Sequence, residues 1–396
     1  MTKSPQEQLA IFSQGTIELI SQEELLKKLA EKRPLRIKYG ADPSASDLHL
    51  GHTVPLMKLK ELQELGHQIV FIIGDFTARI GDPSHQSEMR RQLSAEEVVQ
   101  NARTYEDQVF RILNRKKTEI HYNSEWFDKF RPDDFLSLTS KYTVARLLER
   151  DDFAKRFAEK RPIAVLEFLY PLLQGYDSIA VRSDVELGGT DQKFNLLVGR
   201  ELQRDSGQNP QVVMTLPIIP GTDGKNKMSK SLRNQIALED SPKEMFGKIM
   251  SLPDSLMKMY FEYVCGLTRR QFEVLSEEFK TPRELKAKLG EYVVSLYHDK
   301  AKAVQAREEF DRVFRDKGVP DEIKTVSLPK KELDLVSLLL EAGLVESKSE
   351  ARRLVEQGGV RINQEKIEDP KHKVRLNRQP LLVQCGKRKF VRIKTA

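Results

Sequence analysis

The 396-residue sequence has only two cysteines, no long apolar run and no acidic residue after position 370. Cys265 and Cys385 are far apart and have no metal-ligating neighbours, which disfavours a disulfide framework or a zinc site and favours a reducing cytoplasm. No segment reaches membrane-spanning length, and the N-terminus lacks the pattern of a signal peptide, so we expect no membrane partner. The length and composition predict a globular protein of two or three domains.

The excess positive charge is confined to the last sixth of the chain. The net charge is +7, and residues 330–396 hold 16 Lys and Arg against 9 Asp and Glu, so the other 329 residues are neutral overall. A bias confined to one module indicates a polyanionic partner, most of all nucleic acid. The alternative is a solvated basic tail, but alternating apolar residues favour a folded unit.

A turn rich in small residues, 38–52, joins a predicted strand to a predicted helix. His49 and His52 lie three apart at the helix start, with Gly51 between them. Backbone N–H groups, the positive end of a helix dipole and two imidazoles suit an anion such as a nucleotide phosphate. A helix capped by Asp47, with two incidental histidines, is the alternative reading.

A continuous apolar run at 69–73 predicts a strand buried on both faces of a parallel sheet, followed by a loop that reaches Asp82. Together with the preceding strand and helix it makes a βαβ unit, whose loops after the strand ends form a binding crevice. From Ser94 to about Lys160 the pattern predicts amphipathic helices. We interpret this segment as an insertion and a candidate oligomer surface.

Three polar side chains share one face of the apolar helix predicted at 163–177. Tyr170, Gln174 and Asp177 stand at positions i, i+4 and i+7. Polar groups in such a setting must be hydrogen-bonded to something. A ligand site and an internally satisfied core network fit this pattern equally well.

Two further loops follow predicted strands. In the loop 188–192 a Gly pair allows close approach to a ligand, and Asp191 and Gln192 open the next helix; a plain turn and cap is the alternative. The loop 224–231 spreads three lysines, including Lys227 and Lys230, among Gly, Asn and Ser. Such a cationic loop after a strand suits a polyphosphate better than a merely solvated charge run.

The remainder of the chain is predicted to be helical from Pro242, with a linker that ends near Lys330. The final module has two predicted helices, 333–343 and 347–357, and two short strands, 360–363 and 390–393. A basic face of the sort that binds phosphates is formed by Arg352, Arg353 and Arg361.

The motifs together resemble those of one enzyme class. His49-Leu50-Gly51-His52 resembles the HIGH signature of class I aminoacyl-tRNA synthetases, and Lys227-Met228-Ser229-Lys230-Ser231 matches their KMSKS loop. Within that class the 163–177 helix, the Gly-Asp-Pro loop at Asp82 and the Gly-Gly-Thr-Asp-Gln loop resemble the bacterial tyrosyl-tRNA synthetases. The terminal module resembles the S4-like RNA-binding domain of that family, so the resemblance covers essentially the whole chain.

The resemblance implies an α/β fold. We expect a Rossmann-like parallel-sheet catalytic domain at 1–235 with a helical insertion at about 94–160. An α-helical domain at 236–325 and a small α+β S4-like domain at 330–396 would follow.

The chemistry that the resemblance implies is ATP-dependent activation of tyrosine to tyrosyl-adenylate and pyrophosphate, then transfer of the tyrosyl group to the 3′ end of tRNA(Tyr). Such chemistry depends on positioning and charge stabilisation rather than on a protein nucleophile. Mg²⁺ would arrive with ATP, with no protein metal site and no tightly bound cofactor. The implied catalytic residues are Ser44, His49, His52, Lys227 and Lys230, and the implied ATP-binding residues are His49, Gly51, His52, Asp191 and Lys230.

For the amino acid, the resemblance assigns the substrate ammonium to Asp82, Tyr170 and Gln174, with Asp42 as a second candidate. Asp177 would bind the phenol hydroxyl. The remaining implied tyrosine-binding residues are Tyr39 and Gln192. We also predict a homodimer formed through the helical insertion, and a cytoplasmic location.

Two positions depart from the better-known bacterial subgroup. A tyrosine that reads the phenol there is replaced here by Lys38, with Tyr39 beside it, which leaves the second phenol contact open. A loop lysine that assists with pyrophosphate is missing near Gln86, and an arginine, Arg90 or Arg91, could substitute.

Three alternatives remain at the level of sequence. A tryptophanyl-tRNA synthetase would lack the terminal module, and a small cofactor adenylyltransferase would explain only the HxGH turn. A catalytically inactive synthetase-like RNA-binding protein would be expected to carry damaged motifs, and these motifs are intact.

Overall fold

The computed structural model describes residues 3–43, 48–82, 94–230, 232–314, 323–329, 332–377, 379–386 and 389–395. Ser44, Arg90, Arg91 and Ser231 therefore lie outside the described residues. Spatial contacts divide the chain into two units, residues 1–300 and 301–396, whereas the three domain boundaries expected from the sequence stay predictions. Within the described part of the chain, no helix combines the length and the apolar character needed to cross a membrane.

The secondary structure is mixed. The helices are α1 Pro5–Ser13, α2 Gln22–Ala30, α3 Leu50–Glu64, α4 Ala95–Val109, α5 Ser124–Phe127, α6 Pro132–Thr139, α7 Val144–Leu147, α8 Asp151–Ala158, α9 Val165–Ala180, α10 Lys193–Asp205, α11 Pro242–Met250, α12 Met257–Tyr263, α13 Arg269–Glu277, α14 Pro282–Tyr297, α15 Lys300–Phe314, α16 Leu335–Glu341 and α17 Lys348–Glu356. The strands are β1 Glu18–Ile20, β2 Arg36–Ala41, β3 Gln68–Ile73, β4 Thr118–Tyr122, β5 Val185–Gly189, β6 Val212–Leu216, β7 Thr325–Leu328, β8 Glu332–Asp334, β9 Val360–Ile362, β10 Glu365–Lys366, β11 Lys373–Arg375, β12 Leu381–Cys385 and β13 Lys389–Thr395.

The first unit is built on a sheet with the strand order β1-β6-β5-β2-β3-β4. All neighbours pair in parallel except β1, which runs antiparallel to β6. The inner strands β3 and β6 are almost wholly buried, as expected for strands covered on both faces. The predicted α/β class with a Rossmann-like parallel sheet is confirmed. The chain order reverses between β2 and β5, and ligands of open α/β sheets bind at such a switch point.

The sequence pattern predicts that the segment 94–160 is entirely helical, but the structure shows that it is not. Strand β4 lies within it and pairs in parallel with β3 at the edge of the sheet. All five residues of β4 are partly exposed. A strand in such a place needs no continuous apolar run, and the sequence of β4 has none. The all-helical prediction is therefore wrong for this strand.

Helices α9 and α10 approach each other closely next to this sheet. A Cβ atom on Gly175 would lie 2.9 Å from Leu202 Cδ1, and one on Gly199 would lie 2.8 Å from Gln211 Nε2. Real Cβ atoms do not come so close to their neighbours, so a larger residue at either position would force a neighbouring side chain to shift.

The second unit contains a sheet with the order β10-β9-β12-β13-β7 and a separate β11–β8 pair. Helices α16 and α17 pack on one core through buried residues that include Leu335, Leu338, Ala351 and Val355. Strand β7 occupies part of the segment predicted to be a linker, because it joins the sheet by pairing in parallel with β13.

Candidate active site

The loops that follow β2 and β3 meet helix α9 at the carboxylate of Asp42. The Tyr170 hydroxyl donates a hydrogen bond of 2.8 Å to Asp42 Oδ2, and the Thr77 hydroxyl donates one of 2.7 Å to Oδ1. A Cβ atom at Gly74 would collide with the same carboxylate, so only glycine fits there. Burial raises the pKa of Tyr170 well above its usual value, so this phenol stays a neutral donor.

A second chain of hydrogen bonds joins the β3 loop to α9 by way of the loop after β5. Gln192 Nε2 donates to Asp82 Oδ2 over 2.8 Å. Asn195 Nδ2 donates to Gln192 Oε1 over 3.1 Å and to Gln174 Oε1 over 2.8 Å. Arg150, which is only 5% exposed, lies 3.5 Å from Asp82 Oδ1. The structure thus brings the predicted residues Asp82, Gln174 and Gln192 together.

Asp177 lies one helical turn beyond Gln174 and is 4% exposed. Trp126 Nε1 donates to its Oδ1 over 3.0 Å, and Asn123 Nδ2 lies 3.5 Å from its Oδ2. Burial raises the pKa of Asp177 to about 7, against the lowering effects of Lys38, Trp126 and Asn123. Asn123 also donates to Thr77 Oγ1 over 3.0 Å, which links the surroundings of Asp177 to those of Asp42.

Lys38 and Tyr39 project from opposite faces of β2, because successive side chains of a strand alternate. The Lys38 ammonium is buried under α9, where it contacts the Gln174 carbonyl and Ser178. The Tyr39 ring lies on the other face, with its centroid 5.6 Å from that of Phe71. The structure therefore separates Tyr39 from the α9 side chains, and its role in tyrosine binding stays a prediction.

His49 and His52 lie at the N-terminus of α3, as predicted, with ring centroids 3.8 Å apart. Gly51 N–H donates to His49 Nδ1, and His49 N–H donates to His52 Nδ1, each over 3.2 Å. Burial lowers the pKa of His49 to about 4 and that of His52 well below its usual value. Both imidazoles are therefore neutral at pH 7, and Nε2 of each carries the proton as a hydrogen-bond donor.

The predicted cationic loop is held by Asn234, which is 2% exposed. Asn234 Oδ1 accepts from Ser229 N–H over 2.8 Å, and Nδ2 donates to the Lys227 carbonyl over 3.0 Å. Lys227 Nζ lies 3.7 Å from Asp191 Oδ2, so the loop after β6 reaches the loop after β5.

The loop is also tied to the histidine turn by backbone hydrogen bonds. Leu50 N–H donates to the Ile236 carbonyl over 3.0 Å, and Leu238 N–H donates to the Leu48 carbonyl over 2.9 Å. The two signature turns are thus parts of one backbone arrangement at the same edge of the sheet. Lys230 is exposed at the outer part of the loop.

Several residues of this arrangement were missed by sequence reasoning: Asn123, Trp126, Arg150, Asn195 and Asn234. Each is a single polar or aromatic residue outside the recognisable motifs. Their burial beside predicted site residues becomes visible only in three dimensions. No group of three or more His, Cys, Asp or Glu residues suited to a metal ion occurs in the part of the chain that the structure describes.

In the second unit, Arg352 and Arg353 are exposed on α17, while Ala351 and Val355 of the same helix are buried. Arg361 is exposed on β9, and its Nη1 donates to the Gln364 carbonyl over 3.2 Å. All three predicted RNA-binding arginines are therefore accessible on their own unit.

Comparisons with known proteins agree with this geometry. The family model for class I tRNA synthetases (W and Y) matches residues 30–315, and the S4 domain model matches residues 335–379. The tyrosine–tRNA ligase of Thermotoga maritima is 52% identical over 98% of both chains, and that of Aquifex aeolicus is 49% identical over 98% of this chain and 99% of its own.

Solved structures show the same fold. Tyrosyl-tRNA synthetase from Archaeoglobus fulgidus, complexed with L-tyrosine, matches with a TM-score of 0.63 at 25% identity, over 76% of this chain and 99% of its own. A C-terminally truncated mitochondrial tyrosyl-tRNA synthetase from Aspergillus nidulans matches in fold with a TM-score of 0.64 at 21% identity, over 79% of this chain and 94% of its own. The chain belongs to the tyrosine–tRNA ligase family of class I aminoacyl-tRNA synthetases.

Proposed function

We propose that this protein is a tyrosine–tRNA ligase, which activates L-tyrosine with ATP and transfers the tyrosyl group to the 3′ end of tRNA(Tyr). The family relationship supports the assignment of the reaction, and the arrangement of side chains along α9 supports tyrosine as the amino-acid substrate. Tyr170 and its partner Asp42 lie toward the start of the helix face, Asp177 lies about two turns further along, and Gln174, linked to Asp82 through Asn195 and Gln192, lies between them.

The observation that carries the substrate assignment is the buried carboxylate of Asp177. Tyr170 and Asp177 are seven residues apart on one helix, a rise of about 10 Å. Acidic groups at one end suit an ammonium, and a fixed acceptor at the other end suits a phenol hydroxyl. Phenylalanine would bury Asp177 with only its protein donors Trp126 and Asn123 and without the phenol hydroxyl, and the loss of one hydrogen bond to a buried carboxylate is costly.

For ATP we propose the N-terminus of α3 and the loop after β6. The Nε2–H groups of His49 and His52, together with Ser44 and Gly51, would contact phosphates or ribose. Lys227 and Lys230 would stabilise the negative charge that builds on the phosphates in the transition state, which accelerates the reaction by differential binding.

Asp191 and Gln192 complete the proposed site beside the ribose and the tyrosine carboxyl group. We propose that Mg²⁺ enters with ATP, because this ion usually keeps several waters and binds through substrate phosphates. Attack by the tyrosine carboxylate on the α-phosphorus then releases pyrophosphate without a protein nucleophile.

A homodimer is part of the proposal, because exposed apolar side chains recur from α6 to the first turn of α9. Isolated exposed apolar residues are common, but a concentration of them marks an interaction surface. The large apolar residues exposed there are Leu136, Val144, Phe157, Val165 and Leu166. A second copy of this chain is the proposed occupant, and the cytoplasm, where translation takes place, is the proposed location.

The test of the main proposal is ATP–pyrophosphate exchange, amino acid by amino acid, without tRNA. Exchange with tyrosine, and little with phenylalanine or tryptophan, is the expected result. Exchange with another amino acid would keep the class and overturn the substrate. A folded sample with no exchange would favour the non-catalytic RNA-binding alternative.

A further inference from the structure

A buried ion pair lies directly under the turn of α9 that carries Gln174 and Asp177. Lys38 on β2 is 0% exposed and Glu186 on β5 is 1% exposed, and Lys38 Nζ lies 2.8 Å from Glu186 Oε1. Lys38 Nζ also donates to the Gln174 carbonyl and to Ser178 Oγ, each over 2.8 Å. An ammonium has three N–H donors, and these three acceptors use all of them.

The pair is held in turn by polar groups on the sheet and on α9. Glu186 Oε2 accepts from Ser178 Oγ over 3.1 Å and also from Gln211 Nε2. The close crossing of α9 and α10 at Gly199 encloses this cluster. Lys38 therefore connects two central strands to one turn of α9 and has no spare donor for a ligand.

We propose that Lys38 is a positioning residue for tyrosine recognition: together with Glu186 it fixes the 174–178 turn of α9 and does not itself contact the phenol. This inference rests on the proposed function, since it assigns Gln174 and Asp177 to the substrate. Lys38 therefore does not make the second phenol contact that the sequence left open at this position, and it supports the contact proposed for Asp177.

The charges of the pair act on Asp177 in opposite directions. Lys38 lowers the pKa of Asp177, whereas Glu186 raises it. The titratable, charged or hydrogen-bonding groups that face Asp177 from the packed elements are Lys38, Glu186, Tyr170, Trp126 and Asn123. Loss of either member of the pair should therefore shift the pH dependence of tyrosine binding, and the two losses should shift it in opposite senses.

The experiment measures L-tyrosine binding by equilibrium dialysis, with the fluorescence of Trp126, the single tryptophan, as a second readout. The variants are Lys38→Met, Glu186→Gln and the double variant, in the full chain. For Lys38→Met we expect tyrosine affinity to be about tenfold weaker. The acidic limb, which is the pH range in which tyrosine affinity falls as Asp177 gains a proton, should lie about one unit higher in pH. For Glu186→Gln the limb should move to lower pH. The double variant should keep the limb near its original position but bind tyrosine more weakly, because the turn is no longer fixed.

Removal of one partner from a buried ion pair destabilises a fold, so the double variant, which leaves no unpaired charge, keeps the test valid. A matched control is Lys58→Met. Lys58 is a lysine of similar burial on α3 that contacts the Ile11 and Gln14 carbonyls and Glu61, away from α9. This control should lower thermal stability and leave both tyrosine affinity and its pH limb unchanged.

The proposal is overturned if Lys38→Met and Glu186→Gln leave the limb in place or shift it in the same direction. It is also overturned if the folded double variant binds tyrosine as the parent does. Failure of the proposed function would look different: the unaltered chain would support no tyrosine-dependent exchange or would not bind tyrosine at all.

Discussion

The indole N–H of Trp126 donates a hydrogen bond of 3.0 Å to the carboxylate of Asp177. A hydrogen bond to a charged group contributes about 1.5–3 kcal/mol, so its loss should be measurable. We expect Trp126→Phe to lower kcat/KM for tyrosine by about tenfold or more, because the ring stays but the donor is lost. The acidic limb of the pH profile of kcat/KM should move to higher pH, since this hydrogen bond lowers the pKa of Asp177 and its loss raises that pKa. Exchange kinetics between pH 5.5 and 8.5 would check this, and an unchanged KM for ATP is the internal control.

Burial of Asp177 also carries a cost in stability. Its pKa is raised to about 7, so between roughly pH 4 and 7 the folded protein holds a proton that the unfolded chain has released. The free energy of unfolding therefore falls as the pH rises through this window. Above the window, the loss of stability caused by the ionised Asp177 stays constant.

Asp177→Asn removes this titration while keeping the shape of the side chain. We expect it to raise the free energy of unfolding of the substrate-free protein, with an advantage that grows by about 1.4 kcal/mol for each pH unit in the window. Urea unfolding of both proteins at pH 5 and pH 8 measures the advantage. If the two proteins differ in free energy of unfolding by the same amount at pH 5 and pH 8, burial of the Asp177 carboxylate does not carry this cost. Tyrosine activation should fall in the same variant.

The strands of the site could be predicted from the sequence, because buried parallel strands appear as apolar runs and their loops follow directly. Each signature turn, the one at His49 and the one at Lys227, is a continuous stretch of sequence, so its place beside the end of a strand could also be predicted. The strand β4 could not, because a short, partly exposed edge strand carries no such run.

The contacts that shape the proposed tyrosine end of the site could not be predicted in the same way. Asp42 and Tyr170 are separated by 128 positions in the chain, and Trp126 and Asp177 by 51. Neither pair has a local signal, because the contact arises only when helices pack on the sheet. Periodicity alone left open whether the α9 face was a core network or a ligand site. The structure shows hydrogen bonds within the protein along this face, from Tyr170 to Asp42 and from Trp126 to Asp177, and the ligand site stays a prediction.

The cationic loop offers a matched comparison between two of its lysines. Lys227 lies 3.7 Å from Asp191, whereas Lys225 is exposed in the same loop. We expect Lys227→Ala to lower kcat of ATP–pyrophosphate exchange by about 10²-fold, the usual order for a group that stabilises transition-state charge, and to leave tyrosine affinity nearly unchanged. Lys225→Ala should change kcat less than threefold. Equal losses in both variants would point to general loop charge rather than to a positioned ammonium.

The two units should separate the two steps of the reaction. We expect the double variant Arg352→Ala/Arg353→Ala to weaken tRNA binding and to reduce its salt dependence, by about one unit of log–log slope for each lost phosphate contact. Exchange without tRNA should be unaffected. Arg375→Ala, which removes an exposed arginine paired with Glu332 in the same unit, is the control. Loss of exchange in the folded double variant would refute the division of labour.

The exposed apolar residues from α6 to the first turn of α9, which include Phe157 on α8, predict how the chain associates. Phe157 is 66% exposed on α8, while Phe153 of the same helix is buried, so the Phe157 ring is not needed for the core of its own subunit. A charge placed there would be buried without a partner in a dimer, and that cost opposes association. We therefore expect Phe157→Asp to sediment as a monomer with a melting temperature close to that of the parent. Val274→Asp introduces the same charge at a position that is 56% exposed on α13, outside this stretch of the chain, and should remain dimeric. A parent that sediments as a fully active monomer, or a dimeric Phe157→Asp variant, would show that these residues serve another purpose.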